Sequence, residues 1–194
     1  MKIRSLLFIS LFLVFSIGSQ AEAAAPRKPL KEKPATPAKE DPEPPPIKYF
    51  SDQKESLKGL KGIGIFIEPL NPEMEKSGVS KNQIREQVEL KISQAGIRVI
   101  NNAERLNEPG KPYLYVNLNA YSWREEVIYG YSLKVELNQL VLLDRDRMRG
   151  CFGPTWTTGS AGILGANKFI GFLREELAES LDKFVRDYLA VNPR

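Results

Sequence analysis

The chain has 194 residues, with 28 Lys plus Arg against 24 Asp plus Glu, no His and one Cys. Without His, Ser-His-Asp and Cys-His triads and His-containing zinc sites are excluded. A single Cys excludes an internal disulfide and any multi-Cys metal cluster, while 42% hydrophobic residues suffice to bury a core.

In chain order, residues 1–25 read as a secretory signal peptide. Lys2 and Arg4 form a positive start, and Leu6 to Ile17 is an apolar run broken only by Ser10 and Ser16. Small residues follow, with cleavage sites after Ala23 or Ala25. The apolar run is too short to span a bilayer, which needs about 20 such residues. No membrane span is expected after cleavage, and no Cys stands near the cleavage sites to carry a lipid. The expected destination is an extracytoplasmic space, the periplasm in a Gram-negative cell. In that compartment Cys151 has no internal partner, and burial as a small hydrophobe is expected.

Residues 26–48 hold eight of the 14 prolines, set among charged residues and Ala. With no apolar periodicity they predict a disordered spacer, extended at ~3.1 Å per residue. Residues 49–194 then form one domain. Ile63, Ile65 and Ile67 alternate with Gly64 and Phe66 as a strand closed by Pro69. Asn71-Pro72-Glu73 opens a polar loop. Ser80 and Gln83 make a capping box for a helix over 81–95, with Gly96 as its stop. Ile97 to Ile100 reads as a short strand, and 101–112 has turn composition.

Residues 113–123 alternate, with Leu114, Val116, Leu118 and Ala120 on one side and Tyr113, Tyr115, Asn117, Asn119, Tyr121 and Trp123 on the other. Residues 129–143 alternate as well, and the two predict an antiparallel hairpin. Residues 144–150 read as a second reversal and 151–160 as an edge strand, since Pro154 disfavours a central place. A glycine-broken loop over 161–166 leads to a last helix, capped by Asn167 and striped by Ile170, Leu173, Leu177, Leu181, Phe184 and Tyr188. The expected class is α+β, a mainly antiparallel sheet of about five strands with two amphipathic helices on one face, in the order β-α-β-β-β-β-α.

Little chemistry stands out. Gly153, Gly159, Gly162 and Gly165 lack the Gly-Lys-Ser/Thr triplet of a phosphate loop. The paired acids Glu125-Glu126, Asp144 with Asp146, and Glu175-Glu176 would serve a hydrolase only if two of them faced each other across a cleft. The domain's 20 basic and 19 acidic residues leave no basic stripe, so nucleic acid is not an expected partner. No cofactor or metal is expected. The polar side of the hairpin is the candidate binding surface: Tyr115, Asn117, Asn119, Tyr121 and Trp123, flanked by Lys134, Glu136 and Asn138. Tyr and Trp offer large contact area with a hydrogen-bonding end. A second candidate is strand addition along Thr155, Trp156, Thr157 and Thr158.

The segments Gly59-Leu60-Lys61-Gly62-Ile63-Gly64-Ile65, Ala95-Gly96-Ile97-Arg98-Val99, Pro112 to Asn117 and Thr155-Trp156-Thr157-Thr158-Gly159 resemble a family of small uncharacterised secreted bacterial proteins, over most of 57–193. That resemblance implies secretion but no chemistry. The element order is also similar to periplasmic envelope-assembly modules: the amino-terminal domain of the Tol translocation protein, the curli secretion lipoprotein and the lipoprotein activators of peptidoglycan synthases. This likeness implies a non-catalytic binding or adaptor module whose partner is another envelope protein. The alternatives are a carboxylate hydrolase without His and a glycan- or lipid-binding domain.

Overall fold

The computed structural model describes residues 51–123 and 127–193. Its strands are β1 (Gly64–Ile67), β2 (Tyr113–Trp123), β3 (Ile128–Leu143) and β4 (Asp146–Gly165). Its helices are α1 (Pro72–Lys76), α2 (Lys81–Gln94), α3 (Asn102–Asn107) and α4 (Ala166–Val191), and a 3₁₀ turn over Gln53–Leu57 precedes β1. This is an α+β fold. The sheet runs β1-β2-β3-β4, with β1 parallel to β2 and the other two pairings antiparallel.

The local signals explain most elements. Ser80 and Gln83 form the reciprocal capping box of α2, and Gly96 takes φ 74° after its end. The apolar stripes of α2 (Ile84, Val88, Ile92) and α4 (Phe169, Leu173, Leu177, Leu181, Phe184) share one core with Leu114, Val116, Leu118, Leu133, Val135 and Leu137. Both helices therefore cover the same sheet face, here called the inner face, and a Lys91–Asp182 ion pair of 2.6 Å joins them.

Several expectations need correction. The sheet has four strands among the described residues, not five. Ile97–Ile100 makes a single parallel bridge, Val99 to Ile63, before Asn101 turns the chain into α3. That turn is itself a capping box of Asn101 and Glu104, so the segment expected as a turn contains a helix. The loop at Asn71 likewise holds α1, capped by the Asn71 side chain, with Pro72 starting the helix and Met74 buried. The segment 161–166 is not a loop: β4 stays paired with β3 as far as Gly165, which itself caps α4, and Asn167 makes no capping bond. Gly162 is needed for packing there, since a Cβ would sit 3.0 Å from the Tyr131 ring. Cys151 is exposed, not buried, because it lies opposite Val141 on the part of the β3–β4 hairpin that runs past the start of β2.

Trp156 belongs to the core. Its register partner is Leu137 of the inner face, and its indole is fully buried, edge-on to Phe184 at 5.1 Å. The indole Nε1–H donates to the Asp187 carboxylate at 2.8 Å, as does Lys183 Nζ at 2.9 Å. Burial would raise the Asp187 carboxyl, but the bonds from Lys183 and Trp156 outweigh it and hold the group below its ordinary value of 3.8. A depressed folded pKa contributes stability that is complete above the unfolded value and is lost as pH falls through the folded one. Asp187→Asn is therefore expected to cost about 1–2 kcal/mol at pH 7. In urea denaturation at stepped pH, the gap to the parent should close below 3.8; a gap of constant size down to pH 2 would overturn the assignment.

Candidate binding surface

Strand alternation delivers the polar side chains of β2 and β3 to the outer sheet face, away from α2 and α4. The pairing sets Glu136 opposite Tyr115, Lys134 opposite Asn117, and Asn138 opposite Tyr113. All eight hairpin residues of the candidate surface therefore share one face. They are unequally open: Tyr121 and Trp123 are 65% and 69% exposed, whereas Asn138 is buried. In the middle, Asn119 Nδ2 donates to Asn117 Oδ1, and Asn117 Nδ2 donates to the Tyr115 hydroxyl at 2.9 Å. This ladder fixes the amides in one orientation. Burial pushes the Tyr115 hydroxyl above its ordinary pKa, with Asn117 opposing and Glu68 adding to the shift. It stays a neutral donor and acceptor well above neutral pH.

At the β1 end the face becomes a cleft of about 890 Å³. Its floor is aromatic. Phe66 of β1 stacks on Tyr115 at 5.9 Å and 12°, and Phe152 of β4 leans on Tyr113 at 5.8 Å. Arg105 of α3 lies over both Tyr113 and Phe152, 5.2 and 5.9 Å from their centroids. Its guanidinium makes three hydrogen bonds to two acceptors, Nε and Nη2 donating to Asn102 Oδ1 and Nη1 to the Lys111 carbonyl, which fix its position. Gly64 admits the arginine: a Cβ there would fall 2.7 Å from Arg105 Cδ. Arg85 and Glu89 of α2, an ion pair at 3.2 Å, form the wall past β1.

Sequence reasoning missed Phe66, Phe152 and Arg105, and placed Tyr113 on this face without including it in the site. The parity of β1, where Phe66 opposes Ile65 and Ile67, is a signal for the first. Phe152 reaches this face only after the β-bulge between Leu137 and Asn138 shifts the register, and nothing in the sequence marks Arg105.

The second candidate separates. Trp156 points inward, as described above. The outward backbone of Thr157 is already bonded: its N–H donates to Gln53 Oε1 at 2.9 Å, and its carbonyl accepts from Gln53 Nε2 at 3.1 Å. Ser56 Oγ donates to the Thr155 carbonyl at 3.1 Å. The 3₁₀ turn thus occupies this stretch of the β4 edge as an added strand would.

None of the described paired acids lines the aromatic cleft. Asp144 and Asp146 pair with Arg147 and Arg149 in the β3–β4 turn. Glu175 is exposed on α4, the half-buried Glu176 lines a polar cavity with Glu179, Asp182, Lys183 and Arg186, and Glu125-Glu126 falls outside the described residues. Among the described residues no three His, Cys, Asp or Glu side chains are grouped as metal ligands would be, and no helix is long and apolar enough to cross a membrane.

The fold and face define a class by geometry alone, a helix-backed sheet with its aromatic side turned outward. Compared with protein-family models and with curated proteins, the chain matches none.

Proposed function

We propose that this chain is a secreted, non-catalytic binding module of the bacterial cell envelope, periplasmic where an outer membrane exists, that holds another envelope protein on its outer sheet face. One observation carries the reading. The core helices α2 and α4 sit on the inner face, while the outer face leaves Phe66, Phe152, Tyr121 and Trp123 between 46% and 69% exposed. Aromatic groups left open on a rigid sheet are the composition of an interaction surface.

A photo-crosslinking residue placed at Tyr121 or Phe66 in living cells is expected to trap one envelope protein, whereas the same residue at Arg174 on α4 traps none. Replacing Tyr121 and Trp123 together with Ala should abolish that crosslink from Phe66 while leaving Tm nearly unchanged, because both side chains are exposed. Crosslinks that persist in this variant, or that arise equally from Arg174, would sink the proposal. A glycan is the second reading, favoured by the amide ladder of Asn117 and Asn119 beside the stacked Phe66–Tyr115 pair. Shifts of those amide signals on titration with peptidoglycan fragments would select it.

A further inference from the structure

We propose that the outer edge of β1 takes up an extended, acidic segment of the partner protein as a fifth strand. The proposal rests on the reading above and specifies how the partner is held.

The hydrogen-bond directions along β1 carry the first step. Gly64 N–H donates to Pro112 and Glu68 N–H to Val116, so the even residues face β2. In a parallel ladder the intervening residues face the other way. Ile63 does so and is satisfied: it donates to Arg98 and accepts from Ile100. The fifth strand that begins there stops at once, because Asn101 caps α3 and leads the chain away. Beyond it, the half-buried Ile65 presents its amide to the same edge, whereas Ile67 is buried in the core. Arg85 Nη1 reaches the Ile65 carbonyl at 3.4 Å, and no hydrogen bond among the described residues engages the Ile65 N–H. The sheet's two edges therefore differ. At β4 a side-chain amide closes the edge at Thr157, and at β1 a strand position is begun and left open.

The second step is the surroundings of that position. The cleft runs alongside Ile65, between the α2 wall and the aromatic floor of Phe66 and Tyr113. An incoming strand would stand its side chains alternately on that floor and toward α2, with room for roughly four to six residues at about 3.3 Å each. Charge selects the occupant. Lys81 lies 5.8 Å from the Phe66 ring centroid and Arg105 rests on Tyr113 and Phe152. Among the described residues neither has a carboxylate partner, whereas Arg85 and Arg98 are paired with Glu89 and Glu104. Of the acids around the floor, Glu89 is paired with Arg85, Glu136 with Lys134, and Glu68 is turned to the Tyr115 hydroxyl. Two unpaired cations on an aromatic floor favour carboxylate side chains in the added strand. The chain's own 26–48 segment is a poor occupant, since its eight prolines lack the N–H that a ladder needs.

The test uses the full chain after signal removal and a random twelve-residue peptide library displayed on phage. Enriched peptides are expected to carry Asp or Glu at alternate positions. The top sequence is then made in two forms, unmodified and N-methylated at every second residue. N-methylation should weaken binding at least tenfold, and Arg105→Ala at least fivefold. The unmodified peptide should slow hydrogen exchange of the Ile65 amide more than tenfold. Enrichment of Lys-rich peptides, no enrichment, or exchange protection elsewhere would overturn the proposal. If N-methylation changes nothing while Tyr115→Ala abolishes binding, edge addition fails and the outer-face reading stands.

Discussion

Trp156→Ala is expected to lower the stability of the domain by about 3–5 kcal/mol, the range for truncating a buried aromatic. Three contacts go at once. The indole fills the core against Phe184 with its ring fully buried. Lys183 Nζ, 4.9 Å from the ring centroid, loses its cation–π partner. Asp187 loses the Nε1–H donor and keeps Lys183. A half-buried carboxylate with one donor fewer is a further cost, since a group that loses its partner in the interior keeps its desolvation penalty. Urea denaturation followed by circular dichroism should show a lower midpoint at unchanged slope. A loss under 1 kcal/mol would mean that the indole lies outward on an exposed edge, where substitutions cost about 0.5 kcal/mol or less.

Gly159→Ala should be the most damaging single-methyl change in the sheet, at about 3 kcal/mol or with failure to fold. Gly159 is paired with Lys134, and a Cβ would sit 2.2 Å from the Leu133 carbonyl oxygen and 3.2 Å from the Lys134 Cα. These are backbone atoms, so no rotamer change relieves the clash, and β3 and β4 would have to part. Gly130 is the control, because a Cβ there meets nothing within 4 Å. Gly130→Ala should stay within about 0.5 kcal/mol of the parent. Equal melting temperatures for the two variants would overturn the close approach of β3 and β4 at this point.

The elements that were legible in advance are those with a local cause. The Ser80–Gln83 box and Gly96 bracket α2, and two-residue alternation gives the β2–β3 hairpin with its aliphatic and aromatic sides correctly separated. The misreadings share a different cause. Ile97–Ile100 has the composition of a strand, but Asn101 and Glu104 make a stronger local bond set and carry the chain into α3. The glycines of 161–166 look like a loop and are a strand, because their partner residues on β3 include the large Tyr131, which needs the space. Trp156 was legible as part of an edge strand, but its direction follows from its pairing opposite Leu137 of the inner face.

The candidate site divides along the same line. Tyr115, Asn117, Asn119, Tyr121 and Trp123 share a face by strand parity, a property of one chain segment that needs no tertiary information. By itself the amino-acid sequence also excludes His chemistry and an internal disulfide, through composition. The tertiary structure alone decided that the deepest part of the surface lies at its Tyr115 end, since the cleft is made by residues far apart in the chain: Phe66, Arg105, Tyr113 and Phe152. It also decided which sheet edge is open. Whether an edge amide is free depends on what arrives beside it: Gln53 at Thr157, and nothing among the described residues at the Ile65 N–H. Such meetings between distant segments leave no periodicity in the sequence to read.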